Sequence, residues 1–488
     1  MRPTWIKAAF VVPVLWWVYL FFTTKFIVIY DSIGYEQLGK IIATHGWADF
    51  LRHGPTREPM FPGLVALSMR LGDWWGCSYG YPLKLIGVLY LFLTMALSYR
   101  LMRLLPVRPF IAALAILYLG ISPVMTNSSM RIWSEFAAYP WVVLAVIWTI
   151  KSWKLLDNLS PDRREYFRIT GHAMMVALSF LLFMSVKAVA EGILILFLWP
   201  FYRRIFSHWR SRNIIKSRQA AVFCLVVFLL FESVVCMYKW CNYRYNGNFT
   251  FTNRGVWLVY GSAARRIQPL TLEKLGAAVA YVPGMGICGA HYSQEDCNFW
   301  SGPYVDGIWS QKLDELANQG TKGNAASNYF ILNTVQMVLS HPLQVFLLMG
   351  IEAQKMFFWE SSLDFVAYPD WLDRVLHAVG FSYSLRIILA ILSWIACVFA
   401  FCILCFRCPK FHFNDKGQRE ALFWTVNFVS PDFPVSGVNI IFGRQMYFTF
   451  HSGQRPADQK LKTNFWLDID FYAGPYPVHL VLDGPREF

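Results

Sequence analysis

The sequence predicts an all-α polytopic membrane protein, and three observations carry that reading. Of 488 residues, 56% are hydrophobic and only 15% are charged, whereas soluble domains run at about 45–50% apolar and about 25% charged. Apolar runs of membrane-spanning length recur along the chain. Basic residues gather in alternate short links between those runs. A chain this apolar could not keep a soluble surface wet, and the same composition excludes collagenous, disordered and disulfide-dense secreted classes.

A spanning helix needs about 20 mainly apolar residues. Residues 8–24 form an uncharged run preceded by Arg2 and Lys7, with no small-residue cleavage site. That run is expected to be a retained anchor rather than a removed signal peptide. Further spans are expected at 83–102, 109–130, 136–150, 169–186, 188–201, 219–238 and 385–406. The links 100–108, 151–168 and 203–218 carry three, five and six Lys or Arg residues. All fall on one side if the N-terminus is cytoplasmic, as the positive-inside rule requires. The net charge of +14 is therefore read as topology, and nucleic acid is not an expected partner.

Two stretches are left outside, 25–82 and about 239–384. The second is polar, aromatic and rich in Gly and Asn, with surface-lying helices expected at 327–339 and 342–358. Most of the 21 Trp residues are expected in interfacial belts and bundle packing. The tail 407–488 breaks the pattern. Its segment 420–443 is interrupted by Pro431, Asp432 and Pro434, and no helical periodicity follows. Cysteines within apolar runs read as small hydrophobes, and no metal ligand set is expected. Cys288 and Cys297 instead flank a polar loop on the oxidising side and are disulfide candidates.

The first outer stretch is the most informative. It reads Tyr30-Asp31-Ser32-Ile33-Gly34-Tyr35, then a helix-like run to Gly46, then Thr56-Arg57-Glu58-Pro59-Met60-Phe61-Pro62. Asp31 and Tyr35, four apart, share one helical face, and the prolines restart a helix. This D-S-x-x-Y … R-E-P-x-F-P pattern resembles the first loop of the GT-C superfamily of polytopic glycosyltransferases. The branch it resembles contains dolichyl-phosphate-mannose protein mannosyltransferases and aminoarabinose transferases. Ser134-Glu135, Phe183–Gly192 (FMSVKAVAEG) and Lys239–Gly261 fit the same order. The resemblance covers roughly residues 1–406. Asp31-Ser32 matches only the single-Asp form of the first motif, and 407–488 lacks the R-Y-x-x-P element seen in relatives. A truncated or frame-altered end would account for the tail.

The resemblance implies a GT-C-like transmembrane helix bundle with extracytoplasmic loop helices. It implies inverting transfer of a hexosyl group, mannosyl or similar, from a polyprenyl-phosphate-linked donor. The acceptor would be a glycolipid, polysaccharide or protein at the outer face of a bilayer, in a bacterial inner membrane with the site facing the periplasm. No cofactor is demanded, and a divalent metal is left open. Asp31 would be the general base. Arg57, Lys187 and Arg131 would bind the donor phosphate, with Tyr35, Glu58 and Glu135 as further candidates. Arg254, Arg265 and Arg266 are additional donors from the outer loops.

The chemistry of such a site is simple. A phosphate is already a good leaving group, so the paired carboxylates of glycoside hydrolysis are not required. One carboxylate must take the acceptor's proton, and cations must stabilise charge building on the phosphate. Structural alternatives stand beside each assignment. Asp31 could cap the following helix, and Glu135 could answer the positive end of a helix dipole. Lys187 could pair with Glu191, four residues on, rather than with phosphate. For the whole chain, a transporter or flippase of lipid-linked glycans, an O-antigen ligase- or polymerase-like enzyme, and a non-catalytic scaffold are the competing readings.

Overall fold

Apolar backbone can satisfy its hydrogen bonds within a bilayer only as helices or closed barrels, and this chain takes the helical solution. The computed structural model describes residues 4–28, 31–54, 56–105, 107–158, 163–282, 285–353, 366–375, 470–472 and 477–479. The chain divides into two units, Met1–Asn439 and Ile440–Phe488. In the second, Asp470–Tyr472 pairs antiparallel with Pro477–His479. The expected span 385–406 and the rest of the tail lie outside the described residues.

The first unit opens with α1 (Thr4–Thr23), α2 (Asp31–His45), α3 (Trp47–His53), α4 (Met60–Trp75) and α5 (Gly80–Leu104). It continues through α6 (Pro109–Ile121), α7 (Pro123–Ser129), α8 (Ser134–Asp157), α9 (Arg163–Val186), α10 (Ala190–Arg210) and α11 (Ile214–Asn246). Next come α12 (Arg254–Arg266), α13 (Leu272–Tyr281), α14 (Met285–His291), α15 (Gln294–Phe299) and α16 (Gly302–Asn318). The last are α17 (Asn324–Ser340), α18 (Pro342–Ala353) and α19 (Asp370–Val375). Strand β1 (Lys25–Phe26) pairs antiparallel with β2 (Val366–Ala367), tying the segment before α19 to the end of α1.

Among the described residues, five helices are long and apolar enough to cross a membrane: α1, α5, α8, α9 and α11. Their outward faces are apolar, with Leu15, Val18 and Phe22 exposed on α1 and Leu225, Phe228 and Leu229 exposed on α11. Lipid is the solvent that suits such faces, and the chain is a helical membrane protein. The expected span 109–130 is not one helix. Ser122 is extended (φ −55°, ψ 126°) because the ring of Pro123 disfavours the helical region for the residue before it. This leaves α6 with 13 residues, about 20 Å long, short of a hydrocarbon core of about 30 Å. The expected surface helices 327–339 and 342–358 fall on α17 and α18, with residues 354–358 outside the described residues. They bend by 100° at their junction, and together they are apolar enough for a broken span or re-entrant loop.

Helix α8 packs on α5 and α9, α9 on α11, and α11 on α10, around Phe180, Phe197, Phe201, Phe223 and Phe231. The three basic links meet at one end of this bundle. Lys154 Nζ donates to the Leu104 carbonyl (3.2 Å), Arg204 pairs with Asp157 (2.7 Å), and Lys216 Nζ donates to the Asp157 carbonyl (3.3 Å). Glu135, at the other end of α8, is about 33 Å away at 1.5 Å per residue. The opposite end therefore carries α2 and α12, and with them the candidate site.

Helix α2 is seated on α4 through Gly39, where an added Cβ would fall 2.5 Å from Val65 Cγ1 and 3.3 Å from the Ala66 nitrogen. Gly39→Leu should overpack this contact and cost about 1–3 kcal/mol. Thermal unfolding in detergent checks this, and an unchanged midpoint would show that the helices can separate freely.

Candidate functional site

The site is assembled where α2, the α3–α4 link, the start of α8, the α9–α10 junction and the start of α12 converge. Asp31 opens α2 and its side chain is 45% exposed. Its Oδ1 accepts from Arg57 Nη2 at 2.9 Å, and Arg254 Nη2 reaches both carboxylate oxygens at 3.0 Å. One half-exposed carboxylate thus bridges two guanidinium groups at the rim. The Arg57 guanidinium also lies over the Tyr35 ring, 4.6 Å from its centroid. Burial, the largest influence on Arg57, disfavours its charge. Tyr35 and the carboxylates of Asp31, Glu58 and Glu135 reverse that and leave its pKa raised.

Behind the rim is a buried layer. Tyr35, one turn below Asp31 on α2, points inward and donates to Ser134 Oγ at 2.8 Å. Burial, aided by Glu58 and Glu135 and opposed by Lys187 and Arg57, pushes its phenol up to about 12. Tyr35 is therefore a neutral donor at working pH and no candidate for the base. Lys187 Nζ donates to Glu135 Oε1 at 2.6 Å, with the Lys187 side chain only 9% exposed. Burial works against the Lys187 charge, but Glu135, Tyr35 and Glu58 outweigh it and raise its pKa. Glu58 Oε1 accepts from the Ala188 backbone N–H at 3.1 Å, fastening the α3–α4 link to the α9–α10 junction.

The sequence candidates Asp31, Tyr35, Arg57, Glu58, Glu135 and Lys187 are thus one cluster. Two expectations are corrected. The partner of Lys187 is Glu135 and not Glu191, which instead accepts from Lys239 at 2.7 Å. The chain leaves helical geometry at Lys187–Val189, so the i,i+4 rule does not apply there. Arg265 and Arg266 are buried and both engage the Glu352 carboxylate, which ties α12 to α18. Arg131 is buried with its guanidinium 4.0 Å from the Trp133 ring centroid. Arg254, only one of several weak candidates in sequence, contributes an Nη2 contact to both oxygens of Asp31.

The two arginines that hold Asp31, Arg57 and Arg254, line an open cavity of about 650 Å³ together with Gly34, Gln37, Thr44 and Trp257. Among the described residues, no group of three or more His, Cys, Asp or Glu could hold a metal ion. The expectation of no metal ligand set rests on an absence of CxxC pairs, and the sequence does not bear that out: Cys402, Cys405 and Cys408 are spaced C-x-x-C-x-x-C, outside the described residues.

Cys288 and Cys297 are bridged, with Cα atoms 5.7 Å apart, inside a small core with Ala277, Phe299 and Trp300. Alkylation of oxidised membranes without reductant should leave both unlabelled, and quantitative labelling of both would contradict the bridge. Comparison of the chain with family models, curated proteins and solved structures finds no match.

Proposed function

We propose that this protein is a membrane glycosyltransferase of GT-C type. It would move a sugar from a polyprenyl-phosphate carrier to an acceptor at the outer face of the membrane. The observation that carries the reading is the Asp31 carboxylate shared between Arg57 and Arg254, two arginines that line a cavity. That cluster sits at the end of the bundle opposite the basic links.

Two guanidinium groups side by side match the oxygens of a phosphate, which they can hold bidentately. An arriving donor phosphate would compete with Asp31 for those groups. As the arginines turn to phosphate, the carboxylate is freed to accept the proton of an acceptor hydroxyl. Charge growing on the leaving phosphate is then met by cations already in place. Lys187 and Glu135 form the floor of the site, and Tyr35 holds the Arg57 guanidinium from beneath.

A flippase needs charged groups along a path through the bundle. The described clustering of this site at one end favours transfer over translocation. Orientation is tested by cysteine accessibility. A cysteine at Gly307, where an added Cβ meets nothing within 4 Å, should react with an impermeant reagent from outside in a background lacking the free cysteines. Labelling only from the cytoplasmic face would overturn the proposed topology.

A further inference from the structure

The cavity beside Asp31 is longer than a phosphate requires. Gly34, Gln37, Ile41 and Thr44 line it at the three- and four-residue spacing of one helix face. It therefore follows α2 for about 15 Å at 1.5 Å per residue. The opposite wall comes from α12 and α16. Arg254 and Trp257 line the cavity from α12, three residues apart and so on one face of the helix. Trp309 of α16 stacks on Trp257 with centroids 5.1 Å apart and planes within 19°. The Trp309 indole N–H donates to Asp306 Oδ1 at 2.8 Å, which fixes the ring's orientation.

This lining is mixed, and Lys40 adds a third cation to Arg57 and Arg254. The indole pair and Ile41 offer flat apolar surface, while Gln37, Thr44, His45 and His53 offer hydrogen bonds around it. Thr44 and His45 bond to each other, but a polyprenyl chain would strip water from the exposed Gln37 and His53 without replacing its hydrogen bonds, at a cost. A pyranose ring presents an apolar C–H face and a rim of hydroxyls, and so answers both. The length of the groove calls for more than one ring. We infer that the groove seats the acceptor, and that the acceptor is a glycan chain with its terminal ring beside Asp31 and an inner ring on the Trp257–Trp309 pair. This rests on reading Asp31, Arg57 and Arg254 as the transfer centre.

The test is calorimetric titration of the full chain in nanodiscs with soluble gluco-, manno- and N-acetylglucosamine oligosaccharides, from monosaccharide to hexasaccharide. At least one series should bind, with affinity rising along the series. Trp309→Ala should weaken that binding about tenfold, while Trp309→Phe keeps most of it. Thr44→Trp fills the groove from an exposed position without removing a packed aromatic, and should abolish binding. Failure of every oligosaccharide to bind, or binding unaffected by Trp309→Ala and Thr44→Trp, would overturn the inference. So would polyprenyl phosphate binding that Thr44→Trp abolishes, which would give the groove to the donor's lipid chain. Transfer of radiolabelled sugar from polyprenyl phosphate by the wild type is measured in parallel. Groove-dependent oligosaccharide binding without any transfer would remove the transferase reading and leave a glycan site.

Discussion

Asp31→Asn should lower sugar transfer from polyprenyl phosphate by about 10²–10⁴-fold, the usual cost of losing a general base. Asparagine keeps the shape and can still accept hydrogen bonds from Arg57 and Arg254, so the cluster should stay assembled. It loses the negative charge and the capacity to take a proton. Expression should be nearly unchanged and donor binding kept or tightened, since the amide competes less with phosphate for the two arginines, and the loss should appear in turnover. Arg57→Ala is expected to behave differently. Its charge-assisted bonds to phosphate are made in both the ground and the transition state, so donor capture should weaken along with turnover. Both variants are compared at matched abundance in membranes. Full activity in Asp31→Asn would return that residue to a helix-capping role.

Lys187→Met should be the most destabilising single substitution at the site. It leaves the Glu135 carboxylate without the partner it holds at 2.6 Å, and breaking a buried pair costs about 3–5 kcal/mol. Replacing both members by apolar residues of similar volume, Lys187→Met with Glu135→Leu, should recover much of that loss, because no uncompensated charge remains. Thermal unfolding in detergent reads the cycle. Additive losses in the double variant would show that the two residues do not depend on each other. If Lys187 also lends its charge to the donor phosphate, the double variant regains stability but not transfer.

Local rules made part of this site legible and hid the rest. The four-residue spacing of Asp31 and Tyr35 correctly set both on one side of α2, but not their separate fates. Asp31 stays at the rim with two arginines, whereas Tyr35 is drawn under Arg57 to Ser134. The partner of Lys187 was out of reach of any helical rule. Glu135 lies 52 residues away in the chain, and Arg254 reaches Asp31 across 223. Tertiary packing alone creates such contacts. The break in 109–130 was written in the sequence, since Ser122 precedes Pro123 inside an apolar run. There hydropathy outweighed a backbone rule that the fold obeys. The basic links, by contrast, gave a correct grouping, because Lys154, Asp157, Arg204 and Lys216 do meet at one end of the bundle.

The most direct measurement reconstitutes the purified full chain in liposomes with a radiolabelled sugar on polyprenyl phosphate and a mixed glycan acceptor pool. Wild type should release polyprenyl phosphate and label the acceptor, Asp31→Asn should bind donor without turnover, and Arg57→Ala and Arg254→Ala should lose donor binding. Donor binding that is indifferent to both arginines, with no sugar transferred by the wild type, would contradict the account.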